Sequence, residues 1–270
     1  MLVKYDIDIL FLTETKIKSI HEEELRKSLK EGYEVIFNSN QNSWFHGTAF
    51  VYKNNLSIEV LARELPKANR LRIYTKLKNH KIVYRTLPED LDSDIAKAHF
   101  QEGRIISILC RSVIPFVIVG TYVPNSGSDR KTPFKRLGYR TMHWDPDMYS
   151  YLRKLEKEYK YVMWIGDLNV TRFNNDMFRK GLNCAGTSEE ERINFSKFLE
   201  KNKWCDTFHE LNPNLYCIED RCTFGVDCKF KLRLDYILTS PSLTPYILES
   251  KTEQRVTGSD HCPVSCVLKC

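Results

Sequence analysis

This chain of 270 residues has no long apolar run, no linker-like tract and no internal repeat. No apolar stretch approaches the roughly 18–20 residues that a membrane-spanning helix needs, so we expect no membrane association. Residues 1–8 lack the apolar centre of a secretory signal, and we expect none. Because no Pro-, Gly- or Ser-rich stretch divides the chain, we expect a single domain over residues 1–270.

A regular disulfide framework is also missing. The nine cysteines are odd in number and irregularly spaced, which favours free thiols in a reducing, intracellular compartment. The alternative is a zinc site built from Cys217, Cys222 and Cys228 with Cys205 and His209. Their spacing matches none of the usual zinc-binding pairs, so we favour free thiols.

Two segments contain no acidic residue. Residues 67–85 hold seven Lys or Arg, and residues 130–140 hold five, within a net charge of +6. Basic surfaces of this kind suit a polyanionic partner. The alternative for each is an ordinary solvated face. For the first segment, an edge hairpin whose lysines discourage aggregation is as good an interpretation.

Apolar, β-branched runs predict most of the secondary structure. Strands are predicted at 7–12, 47–52, 71–77, 81–87, 104–110, 116–123, 161–165, 233–238 and 263–268. Helices are predicted at 20–30, at 148–159 and after a capping box formed by Thr187 and Glu190. Many strands with few helices predict an α/β sandwich of two stacked sheets.

Four short polar segments carry the chemistry. They are TETK at 13–16, GDLN at 166–169, RLDY at 233–236 and GSDH at 258–261. If the neighbouring strands pair in one core, the polar ends meet at one rim. Carboxylate oxygens with an amide and a histidine suit Mg²⁺ and a phosphate, so the set indicates phosphodiester hydrolysis.

Each residue also has a purely structural interpretation. Glu14 is a candidate Mg²⁺ ligand or an acid at a helix N-terminus. Asp167 can activate water while Asn169 donates to a phosphorane oxygen, or the two form an Asx turn. His261 can clamp a phosphate with Asp235 as its orienting carboxylate. Alternatively, His261 is a satisfied core residue and Asp235 pairs with Arg233.

A further segment, YVPN at 122–125, follows a predicted strand. The phenol of Tyr122 and the amide of Asn125 can both contact a phosphate there. A simple turn is the alternative.

Together these motifs resemble the exonuclease III / apurinic-apyrimidinic endonuclease branch of the endonuclease–exonuclease–phosphatase superfamily. The resemblance rests on TETK, YVPNSG, RLGYR with the following Trp144-Asp145, GDLNV, RLDYIL and GSDHCPV, and runs from about residue 8 to 268. It implies a four-layer fold, with helices outside two packed, mostly antiparallel sheets.

The implied activity is Mg²⁺-dependent cleavage of the phosphodiester 5′ to an abasic site in double-stranded DNA, with Mn²⁺ as a substitute ion. A 3′–5′ exonuclease or 3′ phosphodiesterase activity would accompany it. The resemblance further implies a monomer in the nucleus or cytoplasm.

The resemblance also assigns roles to individual residues. The implied catalytic residues are Tyr122, Asp167, Asn169, Asp235 and His261. The implied metal ligands are Glu14, Asp167, Asn169, Asp260 and His261. The implied DNA-binding residues are Asn125, Arg136, Arg140, Phe224 and Leu232.

Three departures from the family pattern stand out. No Trp-Asn-type motif of the usual first strand precedes Glu14, so we expect the fold to lack that strand, which is central in the family fold. Residues 53–98 form an insertion, and Leu232 stands where the family usually has Trp. The alternatives to an abasic-site endonuclease are therefore a weak or inactive nucleic-acid-binding homologue and another phosphodiesterase of the same fold.

Overall fold

The computed structural model describes residues 2, 4–40, 45–65, 102–127, 134–225 and 230–269, together with the backbone of 74–78 and 81–85. Within these ranges, no helix has the length and apolar character needed to cross a membrane.

The thirteen strands of this described part follow the apolar runs. They are β1 (Ile9–Thr13), β2 (Tyr33–Asn38), β3 (Thr48–Lys53), β4 (Ile58–Ala62), β5 (Tyr74–Lys78), β6 (Lys81–Arg85), β7 (Ile105–Cys110), β8 (Phe116–Tyr122), β9 (Val162–Asp167), β10 (Cys205–Asp206), β11 (Asp235–Thr239), β12 (Ile247–Thr252) and β13 (Val264–Leu268).

The helices are fewer. They are α1 (Glu22–Lys27), α2 (Asp145–Tyr159), α3 (Glu189–Asn202), α4 (Thr207–Leu211) and α5 (Ile218–Arg221). A short helical turn (Leu137–Tyr139) and a π-helical turn (Arg140–Trp144) lead into α2. Short 3₁₀ turns lie at Ser19–His21, Asn174–Asp176 and Thr244–Tyr246.

A six-stranded sheet forms the centre of the molecule. Its strand order is β10-β11-β9-β8-β7-β4, and only β8 and β9 run parallel. Every residue of β7 and β8 is buried, as expected for continuous apolar strands covered on both faces. Pairing of β9 with both β8 and β11 fixes the register of these three strands, and therefore the relative positions of their ends.

Helices α2 and α3 cover one face of this sheet. Their apolar residues pack with Trp164 of β9 in one buried cluster, in which the rings of Tyr149 and Phe198 stack at 4.2 Å. The second face packs against two smaller sheets, β1-β3-β2 and β12-β13, through another apolar cluster. Helix α1 contacts β2 on the outside.

The predicted α/β sandwich is therefore confirmed, with helices outside two packed layers of mostly antiparallel strands. The second layer has two parts, since β1 pairs only with β3 and β13 only with β12 among the described residues. Among the described residues this layer has five strands, compared with six in the central sheet.

Some predicted elements differ in detail. The helix expected at 20–30 is a 3₁₀ turn followed by the short α1. The N-cap of α3 is Ser188, one residue beyond the predicted Thr187: its hydroxyl accepts from the Glu191 amide and donates to the Glu191 carboxylate, which is a side-chain cap but not the predicted capping box. Thr187 is instead bonded within the preceding loop, where its hydroxyl accepts from the Cys184 amide.

The region 53–98 contributes to the main sheet at its start, because β4 is the edge strand beside β7. The hairpin expected around residues 78–80 is present as the antiparallel pair β5 and β6. The remainder of this region, and its side chains from residue 66 to 101, lie outside the described residues.

Candidate active site

Three neighbouring strands place polar residues in one row at one end of the central sheet. Tyr122 at the end of β8 is in register with Asp167 at the end of β9. Asp167 is in turn opposite Asp235, the first residue of β11. The sheet register therefore brings together residues that are up to 113 positions apart in the chain.

His261 joins this row from the loop before β13. Its Nδ1 lies 2.8 Å from Oδ2 of Asp235, and 28% of its side chain is exposed. Burial alone would lower the pKa of His261, but the charge and hydrogen bond of Asp235 outweigh it and raise the pKa to about 10. The imidazolium therefore donates from Nδ1 to Asp235 at neutral pH, which leaves Nε2 for a substrate.

Asp167 and Asn169 form a buried hydrogen-bond network. The Asp167 carboxylate accepts from the Asn169 backbone N–H at 2.9 Å and from its side-chain amide at 3.1 Å. The same amide donates to the Val123 carbonyl, and its oxygen accepts from the Asn125 side chain at 3.1 Å. Burial, followed by the charge of Asp235, raises the pKa of Asp167 to about 7.

Glu14 completes the group from the end of β1. Its carboxylate accepts a hydrogen bond from the Tyr122 hydroxyl and lies 2.9 Å from Nζ of Lys16. Burial acts to raise the pKa of Glu14, but Tyr122 and Lys16 outweigh it, so the pKa is lowered. Burial and the Glu14 hydrogen bond raise the pKa of Tyr122, so the phenol is a proton donor at neutral pH.

Four of the predicted metal ligands, Glu14, Asp167, Asn169 and Asp260, carry the hard oxygen donors that Mg²⁺ prefers, whereas His261 is an imidazolium paired with Asp235. Glu14 is paired with the Lys16 ammonium, which shows that its carboxylate tolerates an adjacent cation. Asp260 is exposed and acts electrostatically on both Lys16 and His261. A divalent ion therefore fits the exposed oxygens of Glu14 and Asp260 better than Asn169, whose amide is fully engaged.

These donors are not arranged as a preformed cluster. Across the described ranges, no group of three or more His, Cys, Asp or Glu side chains could hold a metal ion. The same finding covers Cys205, Cys217, Cys222 and His209 of the alternative zinc interpretation, and those three cysteines are free thiols. Cys228 lies outside the described residues.

The predicted DNA-binding arginines differ in their surroundings. Arg136 is exposed, as expected of a residue that contacts a phosphate. Arg140 is 1% exposed, and its guanidinium donates to the Leu168, Asn169 and Pro124 carbonyls. Arg140 is thus buried against the loops of the site, unlike Arg136, and its role in DNA binding stays a prediction.

Phe224 and Leu232 belong to an apolar cluster beside His261. The ring centroids of Phe224 and His261 are 5.0 Å apart. Isolated antiparallel β-bridges also pair the backbone of Phe224 with that of Leu232 and with that of His261. Leu232 is 2% exposed. The other members of the cluster are Met177, Leu182 and Leu234.

A second buried group surrounds Tyr122 and was not anticipated from the sequence. The guanidinium of Arg104 lies 4.8 Å from the centre of the Tyr122 ring and donates to the Tyr122 carbonyl at 3.2 Å. Arg104 also pairs with Glu102, and its Nη2 is 3.2 Å from Nε2 of His46. The only sequence signal was an arginine at the start of a buried strand.

Comparison with known proteins supports the fold and the motifs. The profile of the Endonuclease/Exonuclease/phosphatase family matches residues 1–261. A DNA-(apurinic or apyrimidinic site) endonuclease of Dictyostelium discoideum is 33% identical, over 98% of this chain and 64% of its own length. An exodeoxyribonuclease of Bacillus subtilis is 28% identical, over 97% of this chain and 88% of its own.

A solved structure shows the same fold. The AP endonuclease of Leishmania major superposes with a TM-score of 0.77 at 24% identity, covering 99% of this chain and 80% of that one. The chain thus spans less than two thirds of the Dictyostelium relative but most of the bacterial relative.

Proposed function

The chain belongs to the endonuclease/exonuclease/phosphatase family, and we propose that it is a Mg²⁺-dependent endonuclease hydrolysing the phosphodiester 5′ to an abasic site in duplex DNA. The observation that carries the proposal is the convergence of Tyr122, Asp167, Asn169, Asp235 and His261 at one end of the central sheet. The names of the Dictyostelium and Bacillus relatives support a nuclease acting on DNA.

In this proposal Asp167 is the general base. A pKa of about 7 suits a carboxylate that accepts a proton from an attacking water near neutral pH. Asn169 holds that carboxylate through two hydrogen bonds, so that its free lone pairs face the water. Both side-chain N–H groups of Asn169 donate within the protein, to Asp167 and to the Val123 carbonyl, so its role in this proposal is to orient the base.

His261 and Tyr122 act on the phosphate from the other side. The imidazolium of His261, held by Asp235, donates from Nε2 to a phosphate oxygen and offsets its charge. Tyr122 remains protonated, and its hydroxyl donates to Glu14, so it orients that carboxylate at the edge of the phosphate site. Glu14 and Asp260 are the residues that would hold Mg²⁺, and a bound ion supplies positive charge for the transition state and the leaving oxygen.

The apolar cluster beside His261 provides the lesion specificity in this proposal. An abasic sugar has no base, so its exposed ring carbons can pack against Phe224, which is partly exposed, where a normal nucleotide cannot enter. Leu232 is 2% exposed and packs with Phe224 in this cluster, so we expect it to act by supporting that ring. Discrimination between abasic and intact duplex then depends on how well Phe224 covers the sugar.

The finer assignments belong to the same proposal. We assign duplex DNA as the partner, with Asn125 and Arg136 at the phosphate backbone, a monomer as the active form, and the nucleus or cytoplasm as the compartment. The exodeoxyribonuclease relative supports a further activity at DNA 3′ ends, as an exonuclease or a 3′ phosphodiesterase.

The test is incision of a duplex that carries a single abasic analogue. We expect incision 5′ to the lesion with Mg²⁺, no incision with EDTA, and loss of incision in His261→Ala. The matched control is His21→Ala, since His21 is an exposed histidine in the turn before α1. An intact duplex of the same sequence and an RNA duplex serve as competing substrates.

Three outcomes would contradict the proposal in different ways. Tight, specific binding of the abasic duplex without incision would identify a nucleic-acid-binding homologue. Mg²⁺-dependent cleavage of RNA or a small phosphoester in preference to abasic DNA would identify another phosphodiesterase of this fold. Incision that survives in His261→Ala would contradict the assigned active site.

A further inference from the structure

Arg140 connects two loops of the candidate active site through one buried side chain. Its Nη2 donates to the Leu168 carbonyl at 2.8 Å, and its Nη1 donates to the Pro124 carbonyl at 3.2 Å and the Asn169 carbonyl at 3.4 Å. Its Nε donates to Oδ1 of Asp145 at 2.6 Å. One guanidinium therefore joins the loop after β8 to the loop after β9.

The π-helical turn before α2 builds this arrangement. In a π turn, residue i+5 lies over residue i. The backbone N–H of Asp145 accordingly donates to the Arg140 carbonyl, and the Asp145 carboxylate comes to rest against the Arg140 Nε. Both residues are 1% exposed. The irregular turn thus holds the guanidinium in one orientation.

The loop after β9 depends on these contacts. Asn169 has a φ of 48°, a left-handed conformation that asparagine reaches at modest cost but that its surroundings must hold. Its side chain bonds to Asp167, the proposed base, and to Asn125. Removing the guanidinium leaves buried carbonyls without their donor, and an unsatisfied buried carbonyl is destabilising. The loop would then move, and the base with it.

We infer that Arg140, oriented by Asp145, is a positioning residue that fixes the backbone of both active-site loops and does not bind DNA. This inference rests on the proposed nuclease function. It predicts that Arg140 contributes to the rate of the chemical step, whereas the exposed Arg136 of the same segment contributes to substrate binding.

The test compares Arg140→Lys with Arg136→Met on an abasic duplex. Lysine keeps the charge but lacks the planar fork of donors. We expect Arg140→Lys to lower kcat about 100-fold, as a displacement of about 1 Å at a reacting group does, with a much smaller change in KM. We expect Arg136→Met to show the opposite split, with its main effect on KM.

Amide hydrogen exchange tests the same inference without depending on catalytic activity. We expect residues 123–127 and 167–171 to exchange faster in Arg140→Lys than in the wild-type chain, and at the wild-type rate in Arg136→Met. If the wild-type chain does not incise abasic DNA, the proposed function fails, and this exchange measurement still decides whether Arg140 holds the loops.

Two results would overturn the inference. One is unchanged exchange of both loops in a folded Arg140→Lys variant. The other is a rise in KM matching that of Arg136→Met, which would place Arg140 on the DNA. If Arg140→Lys does not fold, Asp145→Asn tests the same contact, because it keeps an acceptor oxygen and removes the charge. We expect it to lower kcat about tenfold, the loss of one charge-assisted hydrogen bond.

Discussion

At the scale of single residues, the charge of His261 is decided by Asp235. Burial disfavours the imidazolium, and the carboxylate 2.8 Å away outweighs that penalty and raises the pKa to about 10. The pKa of His261 in the folded protein lies above its ordinary value of about 6.5. The stabilisation by the pair is therefore fully present below about pH 6.5. This stabilisation is lost as the pH rises through about 10.

The first prediction is that Asp235→Asn returns the pKa of His261 toward its ordinary value. The alkaline limb of activity should then move from near pH 10 to near neutrality, because the clamp on the phosphate loses its charge earlier. NMR titration of the His261 ring protons in the free protein measures this directly. The resonances of the exposed His21 should be the same in both proteins, and an unshifted His261 titration would contradict the prediction.

At the scale of secondary-structure elements, a buried ion network joins β10, the 3₁₀ turn at Asn174–Asp176, α5 and the segment before β11. Arg233 donates to the Asp206 carboxylate through both terminal nitrogens, and Arg221 donates to Asp176. The pairing of Arg233 with Asp206 resolves one alternative left open by the sequence. Asp235 is thereby left to bind His261.

The second prediction concerns the acid stability of this network. Burial acts to raise the pKa of Asp206, but Arg233 outweighs it and the pKa is lowered. The carboxylate therefore stabilises the fold above its unfolded pKa of about 3.9, and the effect is lost as the pH falls through the folded pKa. Asp206→Asn should lower the free energy of unfolding by about 3 kcal/mol at pH 7, because the buried positive charge of Arg233 then loses its main negatively charged partner.

Denaturant unfolding at pH 7 and pH 3 measures this change. The difference between Asp206→Asn and wild type should shrink at pH 3, because Asp206 of the unfolded chain takes up a proton there that the folded carboxylate, with its lowered pKa, resists. Asp220→Asn is the control, since Asp220 is exposed on α5 and should change stability by no more than about 0.5 kcal/mol. An equal difference at both pH values would mean that Asp206 stabilises the fold without its charge.

At the scale of the whole molecule, the acid-free segment 67–85 is a candidate extension of the DNA-binding surface. Its backbone forms the β5–β6 hairpin, and its side chains lie outside the described residues. The hypothesis therefore rests on its seven basic residues and on the duplex DNA of the proposed function. The competing interpretation remains an edge hairpin protected by charge.

The third prediction is that deleting residues 67–85 reduces the salt dependence of abasic-duplex binding. For each DNA phosphate that the hairpin no longer neutralises, the slope of log K against log salt concentration should become shallower by about 0.9. A second variant keeps the hairpin and replaces its basic residues with Gln: Lys67, Arg70, Arg72, Lys76, Lys78, Lys81 and Arg85. Equal slopes in the wild type and both variants would favour the edge-hairpin interpretation.

Local sequence determined nine of the thirteen described strands, the polar segments and the fold class, whereas β2, β4, β10 and β12 were not predicted. Apolar, β-branched runs form strands wherever a sheet buries them, and the residues after those strands are therefore exposed at a rim. This reasoning found Asp167, Asn169, Asp235 and His261 before any contact between them was known. It also found Glu14 and Tyr122, whose hydrogen bond joins β1 to β8.

Only the tertiary structure decided which polar side chains are buried and what they contact. The sequence places Arg136 and Arg140 in the same basic segment, yet one is exposed and the other lies inside a π turn beneath the active site. Arg104 and Arg233 were likewise assigned to buried pairs only by packing. The physical reason is that burial of a charge depends on partners distant in the chain, which no local pattern specifies.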